Sequence, residues 1–217
     1  MTQQGRRDES GRYHLANAEK PLPSVTTLLD DQLEKPGLEA WKAKHDDWKR
    51  RRDRAGLVGT LAHRRILNPL AIRELPVEEM PAEFRTDDVV TDVETAEALW
   101  QDVRDEIPIS EQPHVEETLW KSDPGYAGTA DLITDGIVVD LKTSSSIHLS
   151  HKLQCSAYAS AARARGIDVD RAAIVRLDYR EPVAEVTWLN ADELETLYDS
   201  FCEHTENFHE QTRVGND

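Results

Sequence analysis

The chain has 217 residues, 38% hydrophobic and 31% charged, with 42 acids against 26 bases and a net charge of −16. That length suits a single domain with a sizeable core. The charge, taken alone, speaks against a nucleic-acid or membrane-surface binder, because polyanions would be repelled.

Arg outnumbers Lys, 18 to 8, and Asp and Glu number 21 each. Such an acidic, Lys-poor surface matches a salt-adapted (halophilic) host, where a screening length of about 3 Å at 1 M salt removes long-range repulsion. An ordinary acidic cytosolic protein has the same look, and a virus-encoded one fits as well. Cys155 and Cys202 form no CxxC or metal-ligand set, so neither a disulfide framework nor a four-thiolate iron–sulfur cluster is expected. No apolar run reaches the ~18 residues of a membrane helix, and MTQQGRRDESGR has no apolar signal region. The expected setting is cytoplasmic, with no membrane partner.

In chain order, residues 1–20 are polar and are expected to form a flexible lead-in. The core is expected to begin at Pro21, with Ser24 capping a short helix over Val25–Leu33. After Pro36-Gly37, residues Leu38–Arg54 read as one helix. Its Leu38, Trp41, His45 and Trp48, at three- and four-residue spacing, predict a core face. It ends in the basic run Lys49-Arg50-Arg51-Arg52-Asp53-Arg54, and Gly56–Leu67 reads as a further helix. Residues 70–110 are acidic and punctuated by Pro76, Pro81 and Pro108. They contain a helical stretch, Val93–Val103, but no motif that assigns them a role.

The pattern then changes to strands at Val115–Trp120, Gly128–Thr134 and Ile137–Lys142, with Asp135-Gly136 as a two-residue hairpin signal. A helix follows over Leu149–Arg165, stopped by Gly166. Strands over Ala172–Tyr179 and Val183–Leu189 come next, and Asn190 caps a last helix, Ala191–His209. The expected architecture is one α/β domain over residues 21–210. It has a mainly helical layer (21–110), an α/β core (111–190) and a C-terminal helix (191–210).

The strand segment carries misplaced charge. Period-two alternation puts Asp140 and Lys142 on one face, and the hairpin brings Asp131 alongside. Glu116 sits on the preceding strand. Carboxylates facing one point repel in a half-buried site, and a hard divalent cation such as Mg²⁺ or Mn²⁺ resolves the conflict. A lysine beside it can orient a metal-bound water or hold a phosphate. The plainer alternative is an edge-strand salt bridge.

Five motifs in order now resemble a known family. Glu116, Gly128-Thr129-Ala130-Asp131 and Asp140-Leu141-Lys142 match the PD-(D/E)xK nuclease pattern, with Asp in the second acidic slot. Gln154-Cys155-Ser156-Ala157-Tyr158 matches a QxxxY helix, and Gly59-Thr60-Leu61-Ala62-His63 matches an upstream GTxxH helix. Together they resemble the RecB-like exonuclease branch. Pro23-Ser24-Val25-Thr26 is similar to the opening of mitochondrial genome maintenance exonuclease and related phage and archaeal nucleases. The likeness spans about residues 22–165.

The resemblance implies a restriction-endonuclease-like core, a central mixed sheet flanked by helices with an N-terminal helical layer. It implies His63, Asp131, Asp140 and the Leu141 carbonyl as ligands of Mg²⁺ or Mn²⁺. Glu116 would bind directly or through water, and Lys142 would assist the attacking water. Gln154 and Tyr158 would hold a DNA strand. Ser24 and Thr26 would meet a phosphate at a helix N-terminus, although Ser24 serves equally as a cap. The basic run Lys49–Arg54, with Arg64 and Arg65, would form a DNA track on an otherwise negative surface, Arg51 and Arg52 being its test positions. The implied activity is exonucleolytic hydrolysis of single strands or DNA ends, in replication, recombination or repair and alongside proteins of those processes. A structure-selective endonuclease and a non-cleaving nucleic-acid-binding module remain alternatives.

Overall fold

The computed structural model describes residues 6–8, 11–15, 20–35, 37–72 and 80–214. Its centre is a five-stranded mixed sheet. Strand β4 (His114–Lys121) pairs antiparallel with β5 (Tyr126–Thr134), and β5 pairs antiparallel with β6 (Ile137–Lys142). Asp135 and Gly136 both take positive φ, 47° and 76°. This is the backbone that a tight two-residue hairpin demands and that Asp-Gly supplies. From β6 the chain crosses over through α5 (Leu149–Ala164) to β7 (Arg171–Asp178), which lies parallel to β6. It then turns back into antiparallel β8 (Val183–Leu189). The order across the sheet is β4-β5-β6-β7-β8.

Helices cover both faces. On one side, α1 (Val25–Gln32), α5 and α6 (Ala191–Val214) bury Leu28, Leu153, Ala161 and Phe201 against Val138 and Ile174 of the sheet. On the other, α3 (Trp48–Leu67) and α4 (Asp87–Val103) bury Val58, Ile66, Val93 and Trp100 against Val139, Leu141 and Val175. Consecutive β6 residues thus feed opposite cores, the alternation expected of a doubly covered strand. Both N-caps expected from sequence form. The Ser24 Oγ accepts from the Thr27 N–H at 3.0 Å. Asn190 and Glu193 exchange side-chain-to-backbone bonds at 3.0 and 2.9 Å, a capping box.

Three expectations need correction. The N-terminal segment, expected as a flexible lead-in, contributes β1 (Arg6–Arg7), β2 (Arg12–His14) and, with β3 (Leu22–Pro23), a small antiparallel sheet. Tyr13 and Leu15 are buried against Ala127, so the core begins before Pro21. The expected helix over 38–54 is two helices, α2 (Leu38–Lys44) and α3, separated by a turn at His45–Asp47. Helix α3 then runs straight through Gly56. Lastly, α2 buries no residue and Trp41 is 37% exposed, so the spaced aromatics are not a core face. Within 70–110, α4 packs on α3 and the sheet as a helical buttress. The breaks assigned to Pro36 and Pro76 lie outside the described residues.

Candidate functional site

The charged strand residues meet where β4, β5 and β6 pass beneath α3. Val115 pairs with Leu132 and Glu117 with Ala130, which sets Glu116 opposite Asp131. Glu116 has φ 51°, a left-handed conformation uncommon for a side chain of its size. The strand faces invert here. Leu119 and Ala130 pack in the core beneath α5 and α6, whereas Val115 and Leu132 pack against α3 and α4. Strict alternation would put Leu119 with Val115, and Ala130 with Leu132, on one side. The left-handed turn at Glu116 breaks that parity and aims the Glu116–Asp131 pair at the end of the sheet.

Asp131 is held from two directions. Its Oδ2 accepts the Leu141 N–H at 2.8 Å, a side-chain substitute for a ladder bond between β5 and β6. Its Oδ1 lies 3.7 Å from His63 Nδ1. His63 reaches it because α3 approaches the end of β6 closely. A Cβ on Gly59, one turn earlier, would stand 3.0 Å from Thr143 Oγ1. Glu116 pairs with Arg64, Nη1 to Oε1 at 3.3 Å. Burial pushes the Glu116 carboxyl above its ordinary range; Arg64 opposes the shift and Asp131 adds to it.

Asp140 is 1% exposed. Its Oδ1 accepts from Lys142 Nζ at 2.7 Å. Its Oδ2 lies 2.6 Å from the same nitrogen but has no hydrogen-bond partner. One ammonium thus serves two buried oxygens. Burial raises the Asp140 carboxyl to about 6, with Lys142 working against the shift and Asp131 with it. Burial would lower the Lys142 ammonium, but Asp140 and Asp131 outweigh it and hold it protonated.

Helix α5 closes this side. Gln154 Nε2 donates to the Tyr158 hydroxyl at 3.0 Å, and the Tyr158 ring lies flat on Gly128. A Cβ there would come within 2.4 Å of Tyr158 Cε1. The QxxxY pair and the Gly of Gly128-Thr129 are therefore one packing unit. Tyr158 is 3% exposed, so the ring faces protein rather than an open strand path. Desolvation, then the field of Asp140, drives the pKa of the buried Cys155 thiol upward. His151, one turn before Gln154, is half-buried beside Lys142. Burial, then Lys142 and His148, lower it to about 4 and keep it neutral.

The remaining expected contacts are engaged elsewhere, Ser24 also bridging Ala127 on β5. Ser24 is buried and engaged as the α1 cap, with Thr26 Oγ1 at 2.9 Å and Arg7 Nη2 3.5 Å from each hydroxyl. Arg51 and Arg52 are exposed but paired with Asp47 and Asp53, each at 2.7 Å, and Arg54 bridges Asp88 and Asp92. Much of the basic run is thus neutralised locally. Sequence reasoning placed Arg64 only with the basic run and did not single out His151. Arg64 follows His63 directly, and His151, Gln154 and Tyr158 share one face at three- and four-residue spacing, a signal that was present.

Among the described residues, no three His, Cys, Asp or Glu side chains converge to metal-ligand spacing. The donor chemistry still fits a hard cation. Asp140 Oδ2 is a buried oxygen whose close cation is the Lys142 ammonium it shares with Oδ1, and it lies in the field of a second carboxylate, Asp131, whose neighbour is Glu116. Oxygen donors with one imidazole suit Mg²⁺ or Mn²⁺.

No family model matches the chain, and no curated protein matches it. Among solved structures it is similar to one described as the crystal structure of SSO0001. The two share 18% identity over 71% of this chain and 74% of that one, with a TM-score of 0.35. So distant a likeness carries no argument about fold or function. No helix of the described residues is long and apolar enough to cross a membrane.

Proposed function

We propose that this chain is a divalent-metal-dependent DNA nuclease of the PD-(D/E)xK superfamily, in its RecB-like branch, with a restriction-endonuclease-like core. It acts as an exonuclease on single strands or DNA ends in replication, recombination or repair. The observation that carries the reading is the Asp140 carboxylate. It is fully buried, shares one ammonium between its two oxygens and is flanked by Asp131, at the point where Glu116, His63 and Lys142 also gather. A structural salt bridge alone needs neither the second carboxylate nor the strained Glu116 backbone.

His63, Asp131, Asp140 and the Leu141 carbonyl would hold the cation, with Glu116 reaching it directly or through water. When bound, Mg²⁺ or Mn²⁺ would lower the pKa of a water and offset charge building on the phosphate. Asp131, anchored by the Leu141 N–H, keeps its carboxylate oriented between β5 and β6. Lys142 stays protonated while Asp140 faces it, so it acts as a positive charge beside the scissile phosphate. It can take a proton from water only once the Asp140 charge is engaged elsewhere. Arg64 fixes Glu116 by its ion pair. The α5 face, with Gln154 half-buried at the edge, bounds the site.

The test uses end-labelled linear DNA, covalently closed circular DNA and circular single strands, each with Mg²⁺, Mn²⁺ or EDTA. An exonuclease degrades only substrates with ends, leaves 5′-phosphates and stops in EDTA. Cleavage of closed circles moves the reading to a structure-selective endonuclease. Metal-dependent binding without cleavage of any substrate makes the chain a non-cleaving binding module.

A further inference from the structure

At the other end of β4 from Glu116, Trp120, Lys121 and Ser122 meet Ala164 and Arg165 from the C-terminal end of α5 around an open cavity of about 380 Å³. Trp120 is four residue steps along β4 from Glu116, about 13 Å at ~3.3 Å per residue. Two of the five lining residues are cationic and none is acidic, in a chain whose net charge is −16.

Both cations are held in place by neutral groups. The Arg165 guanidinium lies 3.6 Å from the centroid of the Trp120 ring. Its Nε is buried there without a hydrogen-bond partner. Lys121 Nζ donates to Ser160 Oγ at 3.0 Å and to the Tyr198 hydroxyl at 2.9 Å, and stands 4.6 Å from the Tyr198 ring centroid. Among the described residues neither cation has a carboxylate partner. Arg51, Arg52, Arg54, Arg64, Arg65, Arg176 and Arg180 each have one, and Arg85 and Arg163 are engaged by backbone carbonyls; Arg165 and Lys121 are set apart by lining one cavity together. A guanidinium stacked on indole is preorganised and weakly hydrated, and its fork matches phosphate oxygens.

We propose that this cavity is a phosphate-binding subsite, with Arg165 and Lys121 as the charged contacts, the Ser122 hydroxyl as a further donor and Trp120 as the platform that orients the guanidinium. The ligand is a phosphate group, either a phosphodiester of a nucleic-acid strand or a free or small-molecule phosphate. The subsite stands on its own charges and does not need the chain to cleave DNA.

The experiment titrates the full chain, in EDTA, with inorganic phosphate by calorimetry and with a short labelled single-stranded oligonucleotide by anisotropy. Wild type is compared with Arg165→Gln, Lys121→Gln and the charge-keeping Arg165→Lys, all checked for native circular dichroism. Whichever probe occupies the cavity binds about tenfold more weakly to each Gln variant, and Arg165→Lys recovers part of the loss. For the oligonucleotide, the slope of log K against log salt falls by about 0.7 per lost contact. Binding of phosphate alone identifies a free phosphate, and binding of the oligonucleotide alone identifies a strand phosphate. The proposal is overturned if wild type binds neither probe, or if both Gln variants bind as wild type does. A failed nuclease reading shows separately, as absent Mg²⁺-dependent cleavage.

Discussion

Asp140 brings a carboxylate to 1% exposure with a single ammonium for its two oxygens. Removing that ammonium leaves an uncompensated buried charge, which costs more than the pair contributes. Lys142→Met is therefore expected to destabilise the chain in EDTA by about 3 kcal/mol. That is the lower end of the buried-pair range, since the Lys142 side chain keeps 18% of its surface. Adding Asp140→Asn should recover most of the loss, as urea unfolding can check. Glu116 makes a second prediction at this scale. Its φ of 51° strains any side chain with a Cβ by roughly 1–2 kcal/mol, and glycine not at all. Glu116→Gly and Glu116→Ala both lose the Arg64 partner. Their difference in melting temperature isolates the backbone, and Gly should melt higher. Because glycine also costs roughly 0.5–1 kcal/mol against alanine through the unfolded chain, a Gly variant that melts below Ala by that much would mean that the left-handed turn stores no strain.

At the scale of elements, two glycines of similar appearance in the sequence play opposite parts. Gly56 lies inside α3, and a Cβ placed on it would meet nothing within 4 Å, so Gly56→Ala should stabilise by about 0.5–1 kcal/mol. Gly128 supports the Tyr158 ring, and Gly128→Ala should cost roughly 1–3 kcal/mol through overpacking. Trimming the ring with Tyr158→Leu should reduce that cost, a coupling that a double-mutant cycle would show.

The same contrast marks what sequence alone could reveal. The Asp135-Gly136 hairpin, the β4-β5-β6 order, α5 and both side-chain caps were legible because each has a local chemical signature. The break at His45–Asp47 had none, since no Pro or Gly stands there. The continuity of α3 through Gly56 comes from Val58, Ala62 and Ile66 docking on the sheet, which overrides a weak local penalty. Trp41 and Trp48 have helical spacing but sit outside the core: Lys42, Lys49 and Arg52 surround the Trp48 ring at 5.2, 5.6 and 5.5 Å. The site residues were legible as residue types on adjacent strands. The parity inversion at Glu116 was not, because alternation assumes extended backbone throughout. Arg64, read only as part of the basic run, and His151, not singled out, gain their contacts at the site only when α3 and α5 are folded over the strands.

Across the whole molecule, an excess of 16 negative charges on 217 residues makes self-repulsion a standing cost, shortened in range by salt. Most of the exposed ion pairs offset little of it. The melting temperature should rise between 0.05 and 1 M NaCl, values bracketing Debye lengths from above 10 Å to about 3 Å. A flat or falling curve would show that the surface pairs already balance the repulsion. The same charge makes local placement decisive for any polyanionic substrate. Cations that keep a strand near the sheet end must be those without acid partners, and Arg51 and Arg52 are not among them.

The most direct measurement is the rate at which end-labelled linear single-stranded DNA is hydrolysed by wild type and by Lys142→Ala, with Mg²⁺ or Mn²⁺ and with EDTA. Cleavage by wild type that requires the metal and falls by at least about a hundredfold in Lys142→Ala is the predicted result. Cleavage that survives EDTA, or a Lys142→Ala variant as fast as wild type, would contradict a metal-assisted site built on Asp131, Asp140 and Lys142.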